Sequence, residues 1–234
     1  MREQRRSYKP YSREERAKED LKNSLESWQP KTELGRRVKK GEIKSIDEII
    51  GKRILEEQIV DTLVNLESDL LLIGQSKGKF GGGKRRAWKQ TQRKTKEGNV
   101  AKFSSMIVVG DKDGHVGIGI GSSKETLPAR AKAERKAKLS LIRITRGDGS
   151  FDSTGGGSNS IPFKVEGKCG STVIVLIPAP PGTGLVVGDE AKKILRLAGI
   201  KDVYGKTFGQ TRTTINLARA CIAALIKTNV GSKK

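Results

Sequence analysis

"AKFSSMIVVGDKDGHVGIGI", residues 101–120, holds two apolar-rich runs on either side of a cluster of turn formers. Ala101 to Val109 predicts a strand, Gly110-Asp111-Lys112-Asp113-Gly114 a tight turn, and His115 to Ile120 a second strand returning beside the first. Upstream, Asp69-Leu70-Leu71-Leu72-Ile73 predicts a third strand. Downstream, Ala129, Ala133, Ala137 and Leu141 fall on one face of a helix running from about residue 127 to 142. Three antiparallel strands and a packed helix make a compact unit of the α+β class.

The second strand carries glycine at alternate positions, Gly117, Gly119 and Gly121. That spacing is not the G-x-G-x-x-G of a dinucleotide loop. It leaves one strand face bare, which permits close approach of another backbone, and the expected visitor is a phosphodiester. Asp111 and Asp113 hint at a calcium loop, but the glycine comes too early and the closing Glu is missing, so no metal is expected. His115, the single histidine, has no Ser, Cys or carboxylate partner at a readable spacing, and no catalytic residue is assigned.

Residues 146–160, with DGSFDSTGGGSNS at their centre, read as a Gly/Ser linker. Beyond it the period predicts strands over 161–166 and 171–178, the loop PAPPGTG, and a helix from Asp189 to Leu197 stopped by Gly199. A strand over 202–207 and a helix over 213–226 follow, the helix with Leu217, Ala220, Cys221 and Ala224 facing inward. This is a second small α+β domain. The predicted organisation is a charged, partly helical extension (1–65), a first domain (66–145), the linker (146–160), a second domain (161–228) and a basic tail (229–234). In the extension, Ser12-Arg13-Glu14-Glu15 and Ser45-Ile46-Asp47-Glu48 are capping boxes, and Glu56 to Leu66 suggests a further helix. Leu21, Leu25 and Trp28 make a stripe too thin to hold a domain together, so it is expected to lie on a partner or on the body of the protein.

Charge points to the partner. Lys and Arg number 47 against 26 Asp and Glu, a net +21. Residues 76–102 hold ten basic groups against Glu97 alone, a net +9. Such an excess calls for an anionic partner. No apolar run is long enough to span a bilayer, and the first residues, MREQRRSYKP, lack the apolar core of a secretory signal. The two cysteines, Cys169 and Cys221, have no paired spacing, which fits a reduced cytoplasmic protein.

Inside the basic segment, "GKFGGGKR" (78–85) matches a nucleotide-binding loop up to Lys84, where Arg85 replaces the Ser or Thr that would hold magnesium. The residues that follow lack helical periodicity. A nucleotide hydrolase or RNA-modifying enzyme using this loop is therefore the weaker alternative, with no cofactor or small-molecule substrate expected. The preferred reading is a flexible, Gly-hinged arm whose Lys77, Lys79, Lys84, Arg85, Arg86, Lys89, Arg93, Lys94, Lys96 and Lys102 meet RNA phosphates, with Phe80 or Trp88 available to stack. Gly117, Gly119, Gly121 and Lys124 complete the expected RNA contacts.

Two longer blocks carry a resemblance. "VVGDKDGHVGIGIGSSKE" (108–125) and "PGTGLVVGDEAKKILRLAGIKDVYGKTFGQT" (181–211) closely resemble the universal ribosomal protein five of the small subunit. "KVEGKCGSTVIVLIPAPPGTG" (164–184) and "WQPKTELGRRVKKGEIKS" (28–45) look like the archaeal and eukaryotic branch rather than the bacterial one, and the loop GKFGGGKRRAWKQTQRK looks archaeal in particular. The resemblance implies a double-stranded-RNA-binding-like first domain and a second domain of the family's own α+β type. It implies binding to 16S rRNA, contacts to ribosomal proteins four and eight and to mRNA where the message enters the subunit, and a part in decoding accuracy. It places Gly184 and Lys192 at the surface facing ribosomal protein four.

Overall fold

The computed structural model describes residues 19, 23, 25–75, 85–148 and 157–229. The capping start at Ser12, Leu21 of the thin stripe, and the expected contacts Lys77, Lys79, Phe80 and Lys84 lie outside them, as do residues 149–156 of the linker and 230–234 of the tail.

The first sheet is built on β5 (Gly98–Gly110) and β6 (His115–Ser123), paired antiparallel from Phe103 opposite Ser123 to Gly110 opposite Val116. β1 (Glu67–Leu70) flanks β5, and β7 (Leu141–Arg143) flanks β6. β4 (Trp88–Thr95) pairs with the outer half of β5. The three expected strands are thus joined by two more. A small ribbon of β2 (Gly74–Gln75) and β3 (Arg85–Arg86) lies beside β4. Helix α3 (Thr126–Leu139) packs on the sheet and ends before the expected residue 142, because residues 141–143 leave the helix to pair with β6.

The alternating glycines explain that packing. A Cβ built on Gly117, Gly119 or Gly121 would stand 2.4, 2.1 and 2.1 Å from the carbonyl oxygens of Ala137, Ala133 and Ala129. Three bare strand positions meet three alanines one helical turn apart, and the backbones touch. All three glycines are buried. The expectation that they contact RNA is therefore corrected: the backbone brought close is the protein's own.

The other face of this sheet is buried as well. Met106, Val108 and Val116 share one core with Ile161, Ile174, Leu176, Ile194 and Leu225 from the second half of the chain. That half forms a sheet in the order β10 (Leu185–Val186), β11 (Val203–Phe208), β9 (Thr172–Pro178), β8 (Val165–Cys169), covered on one side by α4 (Asp189–Leu197) and α5 (Thr214–Lys227). β8 starts four residues later than expected, after Pro162, which lacks the N–H a ladder needs. Cys221 is fully buried on α5, and burial pushes its thiol up to about 12, so it is inert core.

Polar bonds lock the halves together. The Leu72 N–H donates to the buried Glu190 carboxylate (2.9 Å), the Lys193 ammonium to the Leu70 carbonyl (2.7 Å), and the Lys112 N–H to the Leu197 carbonyl (3.0 Å).

The described part of the extension lies on the body of the protein. α1 (Glu33–Lys39), a 3-10 turn (Ile46–Glu48) and α2 (Glu57–Leu63) bury Trp28, Ile49, Ile59 and Val60 in a cluster with Ile107, Val109 and Ala133. The Trp28 Nε1–H donates to Glu56 Oε2 at 2.8 Å, and Lys138 of α3 pairs with Asp61 at 2.8 Å. The second capping box opens only a single 3-10 turn, with the Ser45 hydroxyl bonded to the Glu48 carboxylate at 2.9 Å.

Candidate nucleic-acid interface

The described part of the basic segment, residues 85–102, is mostly strand, while the glycines expected to hinge it lie outside the described residues. β4 and the outer half of β5 register from Trp88 opposite Ser105 to Thr95 opposite Gly98, turning through Lys96 and Glu97. By strand alternation Lys89, Arg93 and the cross-strand Lys102 share one face, and Lys94 projects from the other. Lys89 to Val100 is exposed throughout, as is Lys102. Among the described residues, no ion pair engages Arg85, Arg86, Lys89, Arg93, Lys94, Lys96 or Lys102. Lysines on an edge strand also discourage pairing with another chain. That role does not need charge on both faces and in the turn.

Sequence reading missed these strands because alternating Lys, Gln, Thr and Arg carry no apolar period. The threonines and Val100 were the signal available. Trp88 is half-buried at the root of the arm, opposite Ser105, rather than free at its tip. Lys124 is exposed just before α3.

The near-nucleotide loop joins β2 to β3, and Arg85 itself begins a strand. A phosphate-binding loop of that type must open into a helix whose N–H groups face the phosphates. That requirement fails here.

Gly184 has φ +74°, a left-handed conformation that favours glycine, with nothing within 4 Å of its Cβ position. Its N–H donates to the buried Asp202 carboxylate at 2.8 Å and its carbonyl accepts from Val203, which fixes β10 beside β11. Glycine is thus required by the turn and leaves the outer side open. Lys192 is half-exposed in the first turn of α4 and joins no ion pair among the described residues.

The expectation that His115 has no carboxylate partner at a readable spacing is corrected: one partner stands only four residues upstream. The His115 Nδ1 bonds Asp111 in the preceding turn, and its Nε2 lies 3.0 Å from Asp47 on the 3-10 turn, 68 residues away. Arg143, opposite His115 on β7, reaches the same Asp47 at 3.3 Å, while Arg146 pairs with Asp113 in the adjoining cleft. With a carboxylate at each ring nitrogen, the imidazolium suits the site. The Asp111 hydrogen bond raises the His115 pKa above its ordinary 6.5, against burial, and Asp47 adds to the rise. Burial pushes the Asp111 carboxyl up, but its bonds from the His115 ring and the Asp113 and His115 N–H groups hold it below its ordinary 3.8.

A histidine raised on folding stabilises fully below pH 6.5 and loses that contribution as pH climbs through its folded value. The lowered Asp111 contributes above pH 3.8 and loses its share as pH falls through its folded value. The clasp is strongest between these limits. Relative to His115→Gln, the native chain is expected to lose its thermal advantage as pH rises above 6.5 and through the raised folded value. Charge-assisted bonds of about 1.5–3 kcal/mol at about 2–4 °C per kcal/mol give a change of several degrees. Melting midpoints that differ by the same amount at every pH would exclude the imidazole as the proton carrier.

Comparison with known proteins decides the class. The family model for the N-terminal domain of ribosomal protein S5 matches residues 87–145, and that for its C-terminal domain matches 167–230. A small ribosomal subunit protein uS5 of Nanoarchaeum equitans is 48% identical over 207 residues, 87% of this chain and 89% of the relative. That of Thermofilum pendens is 47% identical over 204 residues, covering 86% and 94%. That of Methanocaldococcus jannaschii is 46% identical over 212, covering 89% and 91%. The chain belongs to the uS5 family of small-subunit ribosomal proteins. The family is a structural one, so the hydrolase and RNA-modifying alternatives fall, and the chain's place is on the ribosome. No helix among the described residues is long and apolar enough to cross a membrane. Both arm strands lie inside the first matched region, whereas the ribbon and the extension precede it.

Proposed function

We propose that this uS5 family member binds 16S rRNA in the cytoplasmic small subunit through the β4–β5 arm, contacts ribosomal proteins four and eight and the incoming mRNA, and contributes to decoding accuracy. The observation that carries the rRNA contact is the arm itself: paired strands with cationic side chains on both faces, free of carboxylate partners among the described residues. A paired arm holds its charges in fixed register, which costs less ordering on binding than a loose loop. Lys77, Lys79, Lys84 and Lys124 are proposed to bind the same rRNA. Gradient sedimentation of the tagged protein, with identification of the RNA recovered, tests the reading. Co-migration with small subunits and their rRNA supports it, and a free protein at the top of the gradient rejects it.

The contact with ribosomal protein four is proposed to lie at Gly184 and Lys192, where the turn is open and a half-exposed lysine has no partner among the described residues. Gly184→Arg adds both bulk and left-handed strain at this surface, and is expected to raise near-cognate incorporation severalfold without abolishing assembly. Gly184→Asn, which tolerates that φ, separates the strain from the bulk. Normal accuracy in fully occupied Gly184→Arg subunits would sink the assignment.

A further inference from the structure

The described extension is bonded to itself as well as to the body. The Glu56 carboxylate accepts the Trp28 Nε1–H and the Lys31 and Thr32 N–H groups, at 2.8, 3.0 and 2.7 Å, which ties the approach to α1 to the start of α2. Ile43, Ile46, Ile49, Ile54, Ile59 and Val60 are buried together, on a floor of Ile107, Val109, Ala133, Ala137 and Leu141 from the body. A unit with its own bonds and its own apolar side chains can open while the rest stays folded. Two sets of ion pairs fasten it down. Asp61 of α2 meets Lys138 of α3 at 2.8 Å, and Asp47 of the 3-10 turn meets His115 and Arg143 at 3.0 and 3.3 Å.

The two fasteners answer protons differently. Burial pulls the Lys138 ammonium down, but Asp61 and Glu134 hold it above its ordinary 10.5, so it keeps its charge at neutral pH. His115 does not. An imidazolium donates from both ring nitrogens, whereas the neutral ring has a single N–H. Asp111 is the more fixed of its partners: its side chain is 9% exposed, and it already accepts the Asp113 and His115 N–H groups. The remaining proton therefore stays on Nδ1, and Nε2 turns a lone pair toward the Asp47 carboxylate, whose side chain is 39% exposed and can swing into water. Attraction becomes repulsion at one contact, and that contact is the one with the extension. The other charges about the ring are Arg143, Arg146 and Asp113; Arg146 is engaged by Asp113, and Arg143 still holds Asp47.

We propose that the extension is a strap latched to the body by a proton on His115: with the ring charged, residues 43–63 stay docked, and with the ring neutral they open locally while both sheets remain folded. Docking takes up the proton, because Asp47 supports the charged ring only when the strap is down. The latch is thus fully closed at low pH and loosens as pH rises through the raised value of docked His115. The Lys138–Asp61 pair, Arg143 and the apolar floor remain, so the strap loosens rather than falls away. Opening uncovers Ile107, Val109 and Leu141 on the body.

Hydrogen exchange of the full chain, read by mass spectrometry, tests it over a pH series that brackets 6.5 and the raised value, with intrinsic rates corrected. Amides of residues 43–63 are expected to lose protection roughly tenfold relative to those of β5 and β6, the worth of one charge-assisted bond. Asp47→Asn, whose amide can donate to the neutral Nε2, should abolish this pH response, and so should His115→Gln. Lys138→Met should loosen the strap by the same factor at every pH and leave the response in place. Asp47 is exposed, and the protection of β5 and β6 in each variant reports a folded body. A strap indifferent to pH, a loss shared equally by strap and body, or a response that survives Asp47→Asn or His115→Gln overturns the latch. So does a response that disappears in Lys138→Met, which would put the proton at the other fastener.

Discussion

Gly119→Val is expected to unfold the first half of the protein or to cost it more than about 4 kcal/mol. The β-carbon alone would lie 2.1 Å from the Ala133 carbonyl oxygen and 2.4 Å from the Ala137 nitrogen, both helix backbone that cannot swing aside. Relief requires α3 to lift from the sheet. Lifting would expose Ala133 and Ala137, which are fully buried, and loosen Ile107, Val109 and the extension residues packed with them. Overpacking by a few methyl groups elsewhere in a core costs about 1–3 kcal/mol; a rigid backbone on both sides takes the cost beyond that. Gly188→Ala is the control. It has nothing within 4 Å and an ordinary φ of −61°, so only its helix-capping preference changes, by at most about 1 kcal/mol. Urea denaturation of the two variants beside the native chain checks the contrast. A Gly119→Val chain of near-native stability would mean that the helix does not rest on this strand.

Removing the arm's charge is expected to have the largest effect on binding. With Lys89, Arg93, Lys94 and Lys102 all changed to Gln, up to four phosphate contacts disappear without altering the register of the strands. Each contact contributes about 0.7–0.9 to the slope of log affinity against log salt, so the slope should flatten by about three. At about 0.1 M salt the same figures mean a loss of roughly a thousandfold in affinity for the cognate rRNA fragment, shrinking toward nothing near 1 M. Filter binding over a salt series reads both numbers. The folded protein should not suffer, since these cations have no ion-pair partner among the described residues and repel one another when free. An unchanged slope would turn the arm away from RNA.

The fold class could be read because the deciding signals are local. Turn formers at 110–114, alanines one helical turn apart and the Asp189–Leu197 helix are each set by residues a few positions away. What the sequence hid is carried by distant partners. The glycine stripe announced a close approach of backbones, but nothing nearby said whether the visitor was a phosphodiester or α3. His115 was read as solitary although Asp111 stands four residues before it; only its second partner, Asp47, is hidden 68 residues away. The arm was taken for a loop because its strands bury no side chain, so no apolar period marks them. The family blocks at 108–125 and 181–211 conveyed the overall identity, since each lies inside one of the matched regions. The charged arm was legible as a cluster, and its shape was not.

Helix α4 bears on how a push at one end of this protein is felt at the other. Its first turn follows the open Gly184 turn, its buried Glu190 holds the Leu72 N–H, and its last carbonyls hold Lys112 in the turn between β5 and β6. The joint has no slack: hydrogen bonds at both ends of one rigid rod and a single core beneath it leave no axis about which the halves could swing. A push at the proposed Gly184 contact is therefore expected to move the body and the β4–β5 arm of the other sheet together. On the proposed placement, a displacement beside one neighbour would be passed to the arm undiminished, because these bonds and the shared core hold the two ends as one piece.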